Sequence, residues 1–295
     1  MYANKKEIKK LLSVMFNGII LGAVYTLAAI GLSLQWGILK NLNFSHGVCI
    51  TAGGYIMWVS LMGRLNYFLS FIIVVVAMFL VGMAIEKLTI QPFIFTNPAN
   101  TFFATVALSS ILSQVLLLIF GGRAKDLTPL VRGNFQYGIF NTTYHELSIL
   151  FIAPIILLAM WLILSKTDIG MAIRAVGQDQ EGAALLGINS KKAYGVTVGI
   201  ATAIAGITGV LLGSIFYLTP QMGATPMIKA FIIVILGGLG SLKGTIIAAF
   251  IVALLEMLIG LYVGVTWGPI GLFMVMIIIL LVRPEGLYGV KLRVG

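Results

Sequence analysis

Long apolar runs separated by short polar stretches make up most of the chain. An α-helix needs about 20 apolar residues to cross the hydrocarbon core of a membrane. Backbone polar groups must be satisfied within lipid, and the runs lack the alternation of a β-barrel. The pattern therefore predicts an all-α, polytopic transmembrane bundle of about eight or nine helices. We place the spans at residues 12–39, 46–62, 67–85, 101–120, 147–164, 193–218, 227–239, 245–263 and 267–282.

The seventh run, 227–239, is short for a full crossing, so we expect a broken or re-entrant helix there. The connection 165–192 is different in character, because it mixes charges and small residues at helical spacing. We expect it to form short helices outside the bilayer.

Composition agrees with this pattern and narrows the function. Of 295 residues, 60% are hydrophobic and 9% are charged, whereas a soluble domain carries about 25% charged residues. A soluble enzyme, a nucleic-acid-binding domain and a self-contained ATPase each need a polar surface that this chain lacks. We therefore interpret residues 1–295 as a single transmembrane domain.

The net charge of +10 does not indicate nucleic acid, because the basic residues are scattered between the apolar runs. Membrane topology and contact with lipid headgroups explain them better. The sequence leaves open which connections face the cytoplasm. With nine crossings, eight basic residues fall on one side and ten on the other. Without Lys5, Lys6, Lys9 and Lys10 the split is four against ten and favours a cytoplasmic 165–192 loop, whereas those lysines alone favour a cytoplasmic N-terminus.

Residues with catalytic or metal-binding chemistry do not form a recognisable site. Cys49 is the only cysteine, and His46 and His145 lie in different segments. The acidic residues form no pair inside a span, and no hydrolase motif occurs. The sequence therefore predicts no catalytic, cofactor or metal site.

Two polar features interrupt the apolar runs. Asn43, Ser45 and His46 stand between the first two spans, where they line a pathway at a helix break or form an ordinary interfacial turn. Glu256 is the only acidic residue well inside a run, so it must face protein or water. The sequence identifies no basic partner for it, and both a structural and a functional carboxylate stay open.

A short helix is predicted within residues 173–189, with Glu181 near its start and Gly187 near its end, as the helix dipole and the cap favour. Its small face, Ala183 and Ala184, either fits a partner's groove or rests on the chain's own bundle.

Four segments carry a resemblance to a known family. Residues 181–189 (EGAALLGIN) are similar to the coupling motif of ABC importer permeases, although Gly182 stands where the general motif has its first alanine. Residues 42–47 (LNFSHG), 237–244 (GGLGSLKG) and 283–289 (RPEGLYG) resemble the signatures of branched-chain amino-acid ABC permeases of the LivH type. The likeness follows the same order over nearly the whole chain.

The resemblance implies a multi-pass permease subunit in a bacterial inner membrane that hydrolyses nothing itself. It implies four partners: ABC ATPase subunits, a second permease subunit (a paralogue or a second copy), an extracytoplasmic substrate-binding protein, and lipid. It also implies a cytoplasmic 165–192 coupling loop, with the ATPase contact on Glu181, Ala183, Ala184 and Gly187. Nine crossings then put the N-terminus outside, unless one run does not cross. An outside N-terminus would be explained by an interfacial helix before residue 12.

Alternative functions stay open at this point. Within the family, the substrate is a branched-chain amino acid, urea, a short amide or another amino acid. A secondary transporter driven by an ion gradient would use Glu256 as its membrane carboxylate. A structural membrane subunit would have no pathway.

Overall fold

The computed structural model describes residues 2–94, 98–137 and 140–289. Lys291 and Arg293 lie outside this range, as do the side chains of Lys5 and Lys6. The described helices are α1 Tyr2–Leu39, α2 His46–Met62, α3 Tyr67–Ile85, α4 Pro98–Phe120, α5 Tyr144–Lys166, α6 Asp168–Gln178, α7 Gln180–Leu185, α8 Ser190–Ile215, α9 Ala224–Gly237, α10 Leu242–Tyr262 and α11 Gly268–Val282. A π-helical turn, Glu86–Ile90, extends α3, and a 3-10 turn, Val265–Trp267, precedes α11.

Most of the predicted spans are confirmed as helices that can cross a membrane. Seven of the described helices are long and apolar enough to do so, and the all-α bundle is therefore confirmed. Two apolar helices are shorter, α2 and α9, where the sequence predicted one. A small antiparallel hairpin, β1 Asn134–Tyr137 with β2 Phe140–Thr143, lies in the polar connection between α4 and α5.

Helix α1 is continuous from Tyr2 to Leu39, which contradicts the separate interfacial helix before residue 12 that was one of the two alternatives left open by the sequence. Residues 2–11 contain no glycine or proline and are rich in helix-forming Lys, Glu, Ile and Leu, which lets the span continue toward the N-terminus. At 1.5 Å per residue the helix is about 57 Å long, well beyond the hydrocarbon core.

Helix α8 forms the centre of the bundle, with α1, α2 and α3 packed around it. Glycines allow the closest approach: a Cβ atom at Gly53 of α2 would lie 2.2 Å from the Cα of Gly206 in α8. Small residues at such contacts bring helix backbones together, as lipid-embedded helices require. By contrast, α4 and α11 expose most of their surface.

The bundle has two ends, which the contacts between loops define. At the α6–α7 end, Gly177 of α6 packs on Ile38 near the end of α1, and Gly238 after α9 packs on Gly289. At the hairpin end, Lys125 pairs with Leu218 through two backbone hydrogen bonds. The N-terminal half of α1 points toward the hairpin end, because its C-terminal end meets α6.

Candidate functional site

Helix α2 begins inside the bundle rather than at its surface. His46 Nε2 lies 3.0 Å from the carbonyl oxygen of Ala28. Because a carbonyl only accepts, Nε2 is the donor. Ala28 stands eleven residues before the end of α1, which at 1.5 Å per residue is about 16 Å into the membrane. The chain therefore returns to mid-depth before α2 starts.

A buried polar turn makes this return possible. The Asn43 side-chain oxygen accepts hydrogen bonds from the Ser45 backbone N–H, at 3.0 Å, and from the Ser45 hydroxyl. Phe44 N–H donates to the Thr105 hydroxyl of α4, at 3.2 Å. Within the part of the chain that the structure describes, Asn43 Nδ2 and His46 Nδ1 are buried without a hydrogen-bond partner. A pathway or hinge role for Asn43, Ser45 and His46 stays a prediction.

Helix α9 starts against the same place and ends at the α6–α7 end, so the run predicted to be broken or re-entrant is a short helix that begins at mid-depth and completes a crossing. The backbone N–H of Gly223 donates to the Thr51 hydroxyl of α2, at 3.0 Å, and Gly223 packs directly on Gly47. The 14 residues of α9 span only about 21 Å, less than the hydrocarbon core. The N-termini of two short helices, α2 and α9, thus meet in the interior. A cavity of about 270 Å³ opens beside them, against Ser109, Ser110 and Ser113 of α4.

Glu256 has a basic partner that the sequence analysis did not identify. Lys229 Nζ of α9 lies 2.7 Å from Glu256 Oε1 of α10. The Tyr25 hydroxyl of α1 donates to Glu256 Oε2, at 2.8 Å, and accepts a hydrogen bond from Lys229. Lys229 is the only basic residue inside any of the nine apolar runs, so a lone base and a lone acid were a signal that they pair.

The segment 173–189 forms two helices rather than one. Asp179 interrupts it with an extended backbone (φ −151°, ψ 106°), and its side chain accepts hydrogen bonds from the N–H groups of Glu181 and Gly182. Asp179 is thus the N-cap of α7, an option that short acidic side chains favour over continuing a helix. Glu181 lies in the first turn of α7, as predicted, and the glycine that follows the helix is Gly187, at φ +81°.

The exposed surface of α7 differs from the small face that the sequence suggested. Ala183 is 3% exposed and packs inward, whereas Leu185 and Leu186 are 89% and 82% exposed. Ala184 and Gly187 are also exposed. Sequence reasoning missed the two leucines, since an apolar pair at a helix end normally packs inward. The tip of α7, residues 184–187, therefore presents an apolar surface outside the spans.

Comparisons with known proteins agree with this architecture. The family described as branched-chain amino acid transport system / permease component matches residues 14–282. The high-affinity branched-chain amino acid transport system permease protein LivH of Escherichia coli (strain K12) is 30% identical, over 93% of this chain and 94% of its own. The permease protein BraD of Pseudomonas aeruginosa, from a system of the same description, is 29% identical over 96% of this chain and 97% of its own.

A solved structure supports the fold alone. PsaBC from Streptococcus pneumoniae, in complex with Fab, has a TM-score of 0.50 and 12% identity, and the alignment covers 93% of this chain and 92% of that one. The family match spans nearly all of the membrane bundle, and one relative reaches 30% identity over nearly the full length of both chains. The chain is therefore a multi-pass membrane protein that belongs to the permease components of branched-chain amino acid transport systems.

Proposed function

We propose that this chain is the permease subunit of an ABC importer that carries branched-chain amino acids across the bacterial inner membrane. The family match over residues 14–282 is the observation that carries this proposal. Separate ATPase subunits drive transport, an extracytoplasmic binding protein delivers the substrate, and a second permease subunit, a paralogue or another copy, completes the pathway. Residues 1–295 form one transmembrane domain in which 165–192 is the coupling loop.

The tip of α7 is the surface that we assign to the ATPase. Leu185 and Leu186 are almost fully exposed outside the spans, and each foregoes about 1.5–3 kcal/mol of burial in the isolated chain. An exposed apolar pair of this kind marks a protein interface. Ala184 and Gly187 border the leucines, and Glu181 lies one turn earlier on the same helix.

The loop is anchored well enough to pass on a movement of the ATPase. The Tyr194 hydroxyl of α8 donates to Gln180 of α7, at 2.9 Å, and Gly177 of α6 packs on Ile38 of α1. Ala183 is buried, which indicates that this face of α7 packs against the rest of the chain. A rigid-body displacement of α7 would therefore move α1 and α8 together.

This assignment fixes the orientation of the bundle. A cytoplasmic α6–α7 end places the hairpin end and the N-terminus outside. The count of four basic residues against ten, without the N-terminal lysines, agrees with that orientation. The binding protein then docks at the hairpin end.

A pull-down tests the coupling surface. The tagged permease is purified in mild detergent, and the co-purified proteins are identified by mass spectrometry. We expect ATPase subunits with the wild type and their loss with Leu185→Asp/Leu186→Asp, because two buried carboxylates would oppose docking. Leu130→Asp/Val131→Asp is the matched control, since this half-exposed apolar pair lies in the loop between α4 and β1, at the opposite end.

The control variant should keep the ATPase. Loss of the ATPase from the control and not from the α7 variant would mean that the ATPase binds at the hairpin end, so the bundle would have the opposite orientation to the one proposed. Retention in both would contradict the coupling surface. A permease that purifies alone even as the wild type would favour the secondary transporter.

Uptake into proteoliposomes tests the substrate. The reconstituted complex with its binding protein should take up leucine, isoleucine and valine in an ATP-dependent manner. Urea, acetamide and alanine are the competing substrates, and transport of one of these instead of the aliphatic amino acids would contradict the proposed substrate class.

A further inference from the structure

A second cavity, of about 490 Å³, lies between α1, α9 and α10. Tyr25, Thr225, Lys229 and Glu256 line it, and the remaining lining side chains are apolar. These are Leu21, Leu212, Phe216, Met222, Pro226, Met257 and Val265. Its volume is in the range of sites that bind small molecules, and its few polar groups converge on one wall.

The cavity extends from mid-membrane toward the hairpin end. Tyr25 and Glu256 each stand fourteen residues from the α6–α7 ends of their helices, which is about 21 Å at 1.5 Å per residue. Phe216 and Val265, at the turn after α8 and before α11, line its outer part. The charged wall is therefore reached from the side that the proposed orientation makes extracytoplasmic.

The charged groups are accessible as well as paired. The Lys229 and Glu256 side chains keep 14% and 17% exposure although they lie within the bundle. The pair is not needed for folding stability, because replacing a buried ion pair by well-packed apolar residues commonly leaves the stability unchanged or raises it. Binding of a ligand that carries both charges would explain why the pair is present.

We infer that this cavity binds the transported zwitterion, an α-amino acid with an aliphatic side chain. Glu256 accepts hydrogen bonds from the α-ammonium group, while Lys229 and the Tyr25 hydroxyl donate to the α-carboxylate. The aliphatic side chain lies against Leu212, Met222 and Met257. The inference rests on the proposed function and names the site within it.

Binding in this way is an exchange of partners. Without substrate, Lys229 and Glu256 neutralise each other at 2.7 Å. A zwitterion inserted between them gives each charge a new opposite charge, so neither is left unpaired in the low-dielectric interior. A ligand with only one of the two charges leaves one side chain uncompensated. The site therefore selects zwitterions over amines and fatty acids of the same size.

Protection of an introduced cysteine from a small thiol reagent tests the site directly. The native Cys49 is buried and is replaced by alanine. Thr225→Cys then places a thiol on the cavity wall, and Ser110→Cys is the control in the other cavity, beside α4. The complete complex with its partner subunits is labelled with and without leucine, and also with leucinol or 4-methylpentanoate.

We expect leucine to slow labelling of Thr225→Cys and not of Ser110→Cys. At ten times the dissociation constant the free fraction, and with it the labelling rate, falls to about a tenth. Leucinol and 4-methylpentanoate, which each lack one charge, should give no protection. In Lys229→Met/Glu256→Leu the protection should disappear while the partner subunits still co-purify. Glu86→Gln, at another buried carboxylate in a span, should keep it.

The inference is overturned by any of three results: protection of Ser110→Cys alone, equal protection by all three compounds, or protection that survives in the double variant. The inference is also overturned if a Cys49→Ala complex takes up leucine with ATP while leucine does not protect Thr225→Cys from labelling. A complex that takes up no aliphatic amino acid contradicts the proposed function itself.

Discussion

Apolar side chains are usually buried and charged ones exposed, and two regions of this molecule depart from that pattern: the tip of α7 and the wall formed by Lys229 and Glu256. At the tip, two leucines stand almost fully exposed outside the spans. At the wall, two opposite charges lie within a membrane bundle, at 14% and 17% exposure. Both arrangements cost folding free energy in the isolated chain, through lost apolar burial in one case and through desolvated charge in the other.

The two regions differ in the kind of contact that would compensate for this loss of folding free energy. An apolar surface is satisfied by another protein surface, whereas a paired charge beside an apolar cavity is satisfied by a small ligand with complementary charge. This is why we propose that the tip contacts the ATPase and that the wall binds the substrate. Substitutions that affect one region and spare the other test the two roles separately.

The largest effect is expected from Glu256→Lys, which places two ammonium groups against each other in the membrane. An uncompensated buried charge costs about 3–5 kcal/mol, a large part of the stability of a typical folded protein. The amount of monodisperse protein extracted in detergent measures the loss. The exchange Lys229→Glu/Glu256→Lys restores the pair and should restore the folded protein. A single variant that accumulates like the wild type would show that the wall is fully hydrated.

A smaller effect is expected at Gly187, whose φ of +81° strains any residue with a Cβ atom. The left-handed conformation costs about 1–2 kcal/mol for most residues and less for asparagine, and nothing lies within 4 Å of the Cβ position. Gly187→Trp adds bulk to the docking surface as well and should abolish ATP-driven leucine uptake without affecting membrane insertion. Gly187→Asn should retain uptake. Normal uptake by the tryptophan variant would exclude the tip as a docking surface.

Tyr25→Phe tests the wall with a milder change. It removes the hydroxyl that we propose donates to the substrate carboxylate, a hydrogen bond of about 1 kcal/mol, so we expect the KM for leucine to rise about fivefold. The ATPase should remain bound, because Tyr25 is remote from α7. An unchanged KM would remove the hydroxyl from substrate recognition.

The smallest effect is expected from Glu181→Gln at the start of α7. Glu181 is exposed, and exposed charges contribute little, so ATPase co-purification should change by no more than about twofold. Docking through the two leucines should also persist at high salt. Dissociation of the ATPase in salt would show that charge, rather than apolar contact, holds the interface.

The sequence alone was sufficient for the spans and insufficient for the contacts between them. Long apolar runs located the membrane helices, because each run has its own length and composition. The short run at 227–239 indicated the short helix α9. The start of α2 at mid-depth could not be predicted, because it depends on the contact between His46 and the Ala28 carbonyl, which only the packed bundle creates.

In the candidate site, too, individual residues could be predicted from the sequence, whereas their contacts could not. Glu256 stood out as a membrane carboxylate, but its pairing with Lys229, 27 residues away, depends on how α9 and α10 pack. In the loop, the pattern of small residues pointed to Ala183, which the fold buries, while the exposed leucines follow it directly. Exposure depends on how α7 packs against the bundle, so residue type alone could not predict which of these side chains face outward.

The measurement to make first is ATP-driven leucine uptake by the reconstituted complex. Uptake should require both ATP and the binding protein. Leu185→Asp/Leu186→Asp should abolish uptake, whereas Leu130→Asp/Val131→Asp should retain the ATPase. Uptake driven by an ion gradient without ATP, unchanged in the α7 variant and lost in Glu256→Gln, would contradict the account and identify a secondary transporter.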